Sequence, residues 1–344
     1  MEGQLNVAIV EHRAPEELPA ARAVAAYAEI DRDEWLRIRR EGIGGSDAAA
    51  IVGYSKYQSQ LGLWMLKTGR MEQEDVGEAA EVGTLLEPFM RGTVLPAYLG
   101  GKGIRFDTII DPEYSYQNTV YPWLRVNLDG FVVVDGELVG LEIKTGGSYQ
   151  LKDWGGMDGD DVPDAYWAQC QHAMAATGLD RFLVFGLIGN RRLHRWIERD
   201  DAWIDEKLLP EEKTFWDRVQ ANDPFNAPAP SGLDVDDLAL SELNTPVEDR
   251  EVDLSMFDYV LGQYKAAVDE IKRYEGVKKR LQQEIKVALG TANRGTGNFH
   301  KVSRITTTRS RFDATRYAKE HPDLVADYMV ESTVDYPRVT EIKR

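Results

Sequence analysis

Residues 131–145, FVVVDGELVGLEIKT, hold two apolar runs around an Asp135-Gly136 pair. Asp-Gly signals a two-residue type I′ hairpin, because both central positions of that turn need positive φ. Such a loop sets Val134 opposite Glu137, Val132 opposite Val139 and Asp129 opposite Glu142. Opposed residues share a face, with Cβ atoms about 4.5–5.5 Å apart. Glu142 and Lys144 share that face through the period of two along a strand. Val132, Val134, Val139, Leu141 and Ile143, all apolar, fall on the other face. One face is therefore expected to be core, and the other to gather Asp129, Glu142 and Lys144.

Two carboxylates held this close repel and raise one pKa unless a cation lies between them. Oxygen-only ligands favour Mg²⁺ or Mn²⁺ over zinc. A lysine beside such a site can orient or deprotonate an attacking water, or stabilise developing charge. The plainer reading is a surface hairpin in which Lys144 relieves a cross-strand Asp–Glu clash. Spacing alone does not choose between them.

The whole-chain composition narrows the class. The chain has 344 residues and is 43% hydrophobic and 29% charged, which is ordinary globular composition and allows one large domain or two smaller ones. No apolar run approaches the roughly 18 residues that span a bilayer. The N-terminal stretch lacks a basic segment followed by an apolar one and does not read as a secretory signal. The single cysteine, Cys170, excludes an internal disulfide framework and fits a reducing cytoplasm. It also lacks the partner cysteines of a zinc site. The net charge of −17 argues against a nonspecific nucleic-acid coat but not against a local basic groove. Charge is uneven: 233–253 is acidic, whereas from Lys265 onward 17 Lys/Arg stand against 11 Asp/Glu.

From Trp35 to about Gln220, helical and strand patterns alternate, as in a compact α/β domain. SDAAAIVGYS reads as a short helix capped by Ser46 or Asp47. GEAAEVGTLLEPFMRGTVLPAYLG reads as an apolar-striped helix ending at Gly100-Gly101. Strand patterns follow in 103–110 and 123–134. DAYWAQCQHAMAATG is a helix stopped by Gly178, RFLVFGLIG an apolar strand, and RRLHRWIER the next strand. NDPFNAPAPSG, with three prolines, reads as a linker. Beyond it, Phe257, Val260, Leu261, Tyr264, Val268, Ile271, Val277, Leu281, Ile285 and Leu289 recur at three- and four-residue steps. They mark a long amphipathic helix, hairpin-like or paired with another helix. GTANRGTG breaks it, and FHKVSRITTTRSRFD suggests short strands.

Two further stretches bear on phosphate. In RIRREGIGGSD, Arg37, Arg39 and Arg40 precede a glycine-rich turn through Gly45 into a helix start at Ser46. Exposed N–H groups, a helix dipole and a guanidinium together make a phosphate site. The competing reading is a turn flanked by solvated arginines, and no Walker lysine follows to suggest a nucleotide. RRLHRWIER (191–199) is either a phosphate-tracking edge or a charged strand edge protected against pairing.

An Asp followed by a hairpin ending apolar-Glu-apolar-Lys resembles the PD-(D/E)XK nuclease core, here with Leu128 rather than proline before Asp129. More specific matches surround it. WLRIRREGIGGSDAAAIVGYSKYQSQLGLWMLKTGR (35–70) resembles the N-terminal signature of the YqaJ-type viral recombinases, relatives of lambda exonuclease. VGTLLEP (82–88) resembles their helix-borne glutamate, Glu87, and AYWAQCQHAMAATG (165–178) their Tyr-x-x-Gln helix. The blocks occur in the family's order over roughly residues 35–200.

The resemblance implies Asp129 and Glu142 as metal ligands, with the Ile143 main-chain carbonyl between them and Glu87 completing the acidic cluster. It implies Lys144 as the catalytic lysine, Gln169 as a water- or metal-orienting group and Tyr166 one turn away. Gln171 and His172 compete with Gln169 for the inward position. It also implies a 5′-phosphate site at Arg39 and Ser46, with Arg40 as second choice to Arg39.

The expectation is an α/β PD-(D/E)XK restriction-endonuclease-like core, a central mixed sheet flanked by helices, plus a C-terminal extension of a long helix and short strands. The expected segments are 1–30, a core at 31–222, a Pro-rich then acidic linker at 223–252, and an extension at 253–344. The expected activity is a Mg²⁺-dependent (or Mn²⁺-dependent) 5′→3′ exonuclease acting on double-stranded DNA ends, with two ions per site, exposing 3′ strands for phage-type recombination. The rivals are an endonuclease of the same fold, a DNA-end-binding or annealing module without cleavage, and a nucleotide-binding enzyme using the glycine-rich turn. The family further implies a ring-like homo-oligomer, a trimer, a single-strand annealing protein as partner, and a phage- or prophage-encoded protein in the bacterial cytoplasm.

Overall fold

A computed structural model describes residues 13–72, 77–156, 159–243, 251, 253–306, 317 and 321. Its contacts divide the chain into two units, 1–247 and 248–344.

In chain order, the first unit opens with β1 (Ala21–Ala26) and helices α1 (Arg32–Arg40), α2 (Gly45–Ile51), α3 (Gln60–Lys67) and α4 (Glu78–Phe89). A wide π turn over Met90–Val94 joins α4 to α5 (Leu95–Lys102). Strands β2 (Thr108–Ile110), β3 (Tyr114–Asn118), β4 (Arg125–Asn127), β5 (Gly130–Val134) and β6 (Glu137–Gly146) follow. Then come α6 (Asp164–Thr177), β7 (Arg181–Ile188), β8 (Arg191–Glu198), the short turn α7 (Asp201–Trp203), α8 (Leu209–Ala221) and α9 (Asp234–Leu243).

The central sheet has the order β2-β5-β6-β7-β8. Only β6 and β7 run parallel; the other neighbours are antiparallel, so the sheet is mixed. Parallel neighbours need a long crossover, and α6 supplies it. The hairpin register is as the Asp-Gly turn requires: Val134 pairs with Glu137, Val132 with Val139 and Gly130 with Leu141. Asp135 and Gly136 have φ of 51° and 79°, the signs of a type I′ turn.

Both faces of the hairpin are buried, a correction to the expectation of one core face. On one side, Val132, Val139, Leu141 and Ile143 pack with Leu183 and Phe185 beneath Met90, Leu95 and Leu99. On the other, Phe131, Phe182 and Val184 pack against Cys170, Ala173 and Met174 of α6. Strands beside a parallel pair are covered on both faces. The charged trio is thus confined to one end of the hairpin, Glu142 and Lys144 on β6 beyond the last β5 pair and Asp129 just before β5. Each large apolar side chain fully buried here contributes about 1.5–3 kcal/mol, enough collectively to hold two charged groups at the sheet's rim.

Several boundaries differ from the sequence expectation. The helix at 45–51 is capped two or three residues earlier than expected, at Gly44 rather than at Ser46 or Asp47. Asp47 caps from inside the first turn, accepting the Gly44 N–H at 2.9 Å. The α4–α5 run ends at Gly103, not at Gly100-Gly101. A second antiparallel sheet, β1-β3-β4, was not foreseen. Through β1, residues from the expected N-terminal segment join the first unit. So does α9 from the expected linker: Asp236 accepts from Ser59 Oγ at 2.5 Å and Ala239 is buried. Residues 1–12, 244–250 and 252 lie outside the described residues.

The second unit holds α10 (Asp258–Leu289) and a small hairpin of β9 (Arg294–Thr296) with β10 (Lys301–Ser303). β9 falls inside the stretch read as a helix breaker, and the expected strand residues from 307 onward lie outside the described residues. No helix among the described residues is long and apolar enough to cross a membrane.

Candidate active site

The site forms where β6 outruns β5. Asp129, just before β5, is close enough that its Oδ2 accepts the Ile143 N–H at 2.7 Å. In an extended strand a residue's N–H and C=O leave by the same edge, so the Ile143 carbonyl also points towards Asp129. Glu142 and Lys144 project to the α6 side and form an ion pair at 2.5 Å. Gln169 on α6 bridges them: its Nε2 donates to Glu142 at 2.7 Å and its Oε1 accepts from Lys144 at 2.9 Å. The Lys144 ammonium sits 4.7 Å from the centre of the Tyr166 ring, which in turn packs on Trp154.

That settles which α6 residue faces inward. Gln169 does, whereas Gln171 is spent on the Glu198 carbonyl and the Asp200 N–H. His172 is buried between Glu212 and the Arg125 carbonyl. Tyr166, one turn before Gln169, lines the same cleft, as the i,i+3 spacing requires.

Glu87 approaches from α4. It accepts from Arg91 at 2.9 Å, and Arg91 also donates to the Asp129 carbonyl at 2.8 Å and to Asp111 at 2.6 Å. Burial raises the Glu87 carboxyl above its usual range, with Glu142 adding to it, against the pull of Arg91. Burial also lifts Asp129 well above the usual carboxylate value, reinforced by the charges of Glu142 and Glu87. Burial works against the Lys144 charge, but Glu142 and Asp129 overcome it, and the ammonium holds its proton tightly.

Burial and the neighbouring Glu142 charge thus disfavour the ionised forms of Asp129 and Glu87 at the rim of a closed core. A divalent cation relieves that kind of strain, and the donors are all oxygens, as Mg²⁺ or Mn²⁺ requires. Among the described residues no three His, Cys, Asp or Glu side chains converge as a ready chelate; Lys144 and Gln169 hold Glu142 instead. One further atom speaks for a ligand here. The Tyr27 hydroxyl is buried without a hydrogen-bond partner, and the charges of Asp129 and Glu87 bear on it. A buried polar group left unpaired in this way is itself a pointer to a bound water or ion. The residues fit a hard cation.

The phosphate motif folds beside this cluster. Arg39 donates to Ser46 Oγ at 2.8 Å and rests on Trp35. Asp47 forms a buried ion pair with Lys67 at 2.6 Å, with Arg39 at 3.9 Å. Burial opposes the Asp47 charge, but Lys67 and Arg39 hold its carboxyl below the usual range. Lys67 also donates to the carbonyls of Arg39 and Gly42, bracing the turn. Gly45 packs so closely on α6 that a Cβ there would lie 3.1 Å from Gln169 Cγ. Arg37 does not belong: it pairs with Glu34 and Glu41 on the exposed side of α1. Arg40 is exposed at the end of α1, and no contact ties it to Ser46. Of the three arginines, only Arg39 is drawn into the turn.

Ser46, Lys144, Tyr166 and Gln169 line one cleft of about 630 Å³. Two participants were missed from sequence. Tyr27 arrives through the unforeseen β1–β3 pairing, which carries no local signal. Arg91 could have been found, since it follows Glu87 at the i,i+4 spacing of a helical ion pair. On the edge strand β8, Arg195 donates to the main-chain carbonyls of Trp154, Gly159 and Asp161, and Trp154 and Asp161 line this same cleft.

The mixed sheet, whose hairpin presents Asp129 and then Glu142-x-Lys144 to a helix carrying Gln169, has the PD-(D/E)XK restriction-endonuclease-like fold. Residues 34–180 match the YqaJ-like viral recombinase domain. The chain is 31% identical over 314 residues to the uncharacterized protein YqaJ of Bacillus subtilis (strain 168), an alignment covering 88% of this chain and 92% of YqaJ. The chain belongs to the YqaJ family. Among solved structures, it is similar to an alkaline exonuclease from Laribacter hongkongensis, with 21% identity, 55% of this chain, 93% of that one and a TM-score of 0.41. It is also similar to a phage-related exonuclease from Haemophilus somnus 129PT, with 12% identity, 55% of this chain, 99% of that one and a TM-score of 0.36.

Proposed function

We propose that this protein is a metal-dependent DNA nuclease that works as a 5′→3′ exonuclease on double-stranded ends and exposes 3′ strands for recombination. The observation that carries the reading is the single cleft lined by Ser46, to which Arg39 donates, and by Lys144 and Gln169, which hold Glu142. An anion anchor beside a hydrolytic centre suits a substrate that ends in a phosphate.

Asp129, Glu142 and the Ile143 carbonyl would hold Mg²⁺ or Mn²⁺, with Glu87 reaching a second ion. Bound there, a divalent ion polarises the phosphodiester and lowers the pKa of water. The chain's own groups do the rest. Arg39, Ser46 and the N–H groups at the start of α2 bind the terminal phosphate. Gln169 holds Glu142 and Lys144 in register, and its carboxamide can orient the attacking water. The Lys144 ammonium lies beside the scissile phosphate and stabilises the negative charge that builds on it during attack. Tyr166 keeps that ammonium in place from the ring side. An annealing protein and a ring-like trimer are the expected partners of such an enzyme.

The test is linear duplex DNA, with and without a 5′ phosphate, incubated in Mg²⁺ and then in EDTA. Mononucleotides released from 5′-phosphorylated ends, and arrested by EDTA, are the expected result. Nicking of closed circles would replace the exonuclease by an endonuclease. Tight end binding with no cleavage in Mg²⁺ or Mn²⁺ would replace it by a binding module.

A further inference from the structure

The second unit presents something the reaction does not use. Along α10 one set of apolar residues is exposed rather than buried: Tyr264, Ile271, Tyr274, Leu281 and Ile285 each keep 44–60% of their surface accessible. Their spacing is that of a coiled-coil seam. Phe257, Tyr264, Ile271 and Ile285 fall on one heptad position and Val260, Ala267, Tyr274, Leu281 and Ala288 on the other. The only polar member is Lys278. A strict seven-residue repeat sustained over a helix about 48 Å long is a seam for a second helix. An apolar stripe of this length left in water marks an interaction surface.

The charges choose the occupant and its direction. A second copy lying parallel would stack Lys278 on Lys278 in the seam and set Glu270 beside Glu275, both like-charge contacts. Antiparallel, with Ile271 opposite Tyr274, every seam position from Phe257 to Ala288 finds a partner of complementary size. Tyr264 meets Leu281, Val260 meets Ile285, Phe257 meets Ala288, and Lys278 meets Ala267, which leaves room for its longer chain. The helix is also polarised. Up to Glu270 it carries three carboxylates and one lysine; from Ile271 it carries six Lys/Arg and two glutamates. Antiparallel pairing lays the acidic half of each copy on the basic half of the other. We propose that α10 is a self-association helix that pairs antiparallel with α10 of a second copy of this chain. The contact is isologous and closes at two, so it adds to any ring contact made elsewhere. It does not depend on the nuclease reading.

The experiment uses the full chain carrying Ala267→Cys and Lys278→Cys together, oxidised mildly and run without reductant. The native Cys170 is buried and serves as background in the parent chain. Antiparallel pairing brings the two new thiols together across the seam, and a cross-linked dimer should be the main product. Each single variant separates like thiols by about 16 Å along the axis and should stay uncross-linked. Light scattering supplies an independent reading: Ile271→Glu should halve the particle mass of the full chain. Efficient cross-linking by Ala267→Cys alone would overturn the antiparallel arrangement. No cross-link in the double variant, or an unchanged mass in Ile271→Glu, would overturn self-association and mean that the seam is covered within one chain or by another partner.

Discussion

The rim of the central sheet and the surface of α10 depart in opposite directions from the rule that apolar groups lie inside and charges outside. At the end of β6, Glu142 is 4% exposed and its partner Lys144 only modestly more accessible. Along α10, Ile271 and Tyr274 face solvent. A buried ion pair is poor evidence of stability, since desolvation offsets most of the attraction. An exposed apolar seam adds nothing to the fold of an isolated unit. Neither arrangement is explained by stability, and each marks a place where something else binds. The sheet rim calls for charge and the helix for apolar surface.

If that contrast is right, damage to the two regions should separate cleanly. The largest loss is expected at the rim: Lys144→Ala should lower cleavage by about 10²–10⁴-fold in single-turnover release of nucleotides from linear duplex. Unchanged cleavage would remove Lys144 from the mechanism.

The buried His172–Glu212 pair is the control for burial without catalysis. Removing one partner of a buried pair costs about 3–5 kcal/mol, so His172→Ala should shift the denaturant midpoint strongly. Both imidazole nitrogens face oxygen acceptors, at 2.7 Å (Glu212) and 2.9 Å (the Arg125 carbonyl), so the pair retains a proton that a free His–Glu pair releases. Burial opposes the imidazolium, but Glu212 and the Arg125 carbonyl overcome it and raise His172 above its usual value. Burial raises Glu212 too. With folded values above unfolded ones, this stabilisation is fully present below the unfolded histidine value of about 6.5. It is lost as pH rises through the folded value. Stability to urea should therefore decline on the alkaline side, and less so in the alanine variant.

A smaller effect is expected at Arg39. Hydrogen bonds to charged groups are worth about 1.5–3 kcal/mol, so Arg39→Ala should cost about 10–150-fold in preference for 5′-phosphorylated ends. Cleavage of ends lacking the phosphate should change little. Equal losses on both ends would make Arg39 structural. The smallest effect belongs to α10: Ile271→Glu should leave urea stability of the first unit within about 0.5 kcal/mol. A larger drop would mean that the seam supports the fold.

How much of this was legible beforehand differs by element. The hairpin register followed from two turn residues, because a two-residue loop leaves no freedom in pairing. The Asp129–Glu142–Lys144 end followed from short-range spacing, whereas the choice of Arg39 with Ser46 among three arginines came from the family resemblance. What could not be seen was covered or delivered from afar. The second face of the hairpin is buried by α6, whose approach depends on alanines packing against α2: Ala48, Ala168 and Ala175 share one buried cluster. Tyr27 reaches the acidic residues only because β1 pairs with β3, nearly a hundred residues on. The Ala-rich run 20–26 favours helix by composition, and tertiary pairing overrides it. Gln169 stood among three candidates until the faces of α6 were fixed.

The close approach of Gly45 to Gln169 carries a last consequence. No side chain intervenes between the turn that would grip a strand's terminal phosphate and the helix that positions the cutting groups. Direct packing of the turn on α6 sets the interval between the two elements, so only the reach of the side chains they carry can change it. On the reading proposed above, the enzyme would work as a caliper: each cut falls a fixed span from the last phosphate, and product length is a property of the fold rather than of the sequence being degraded.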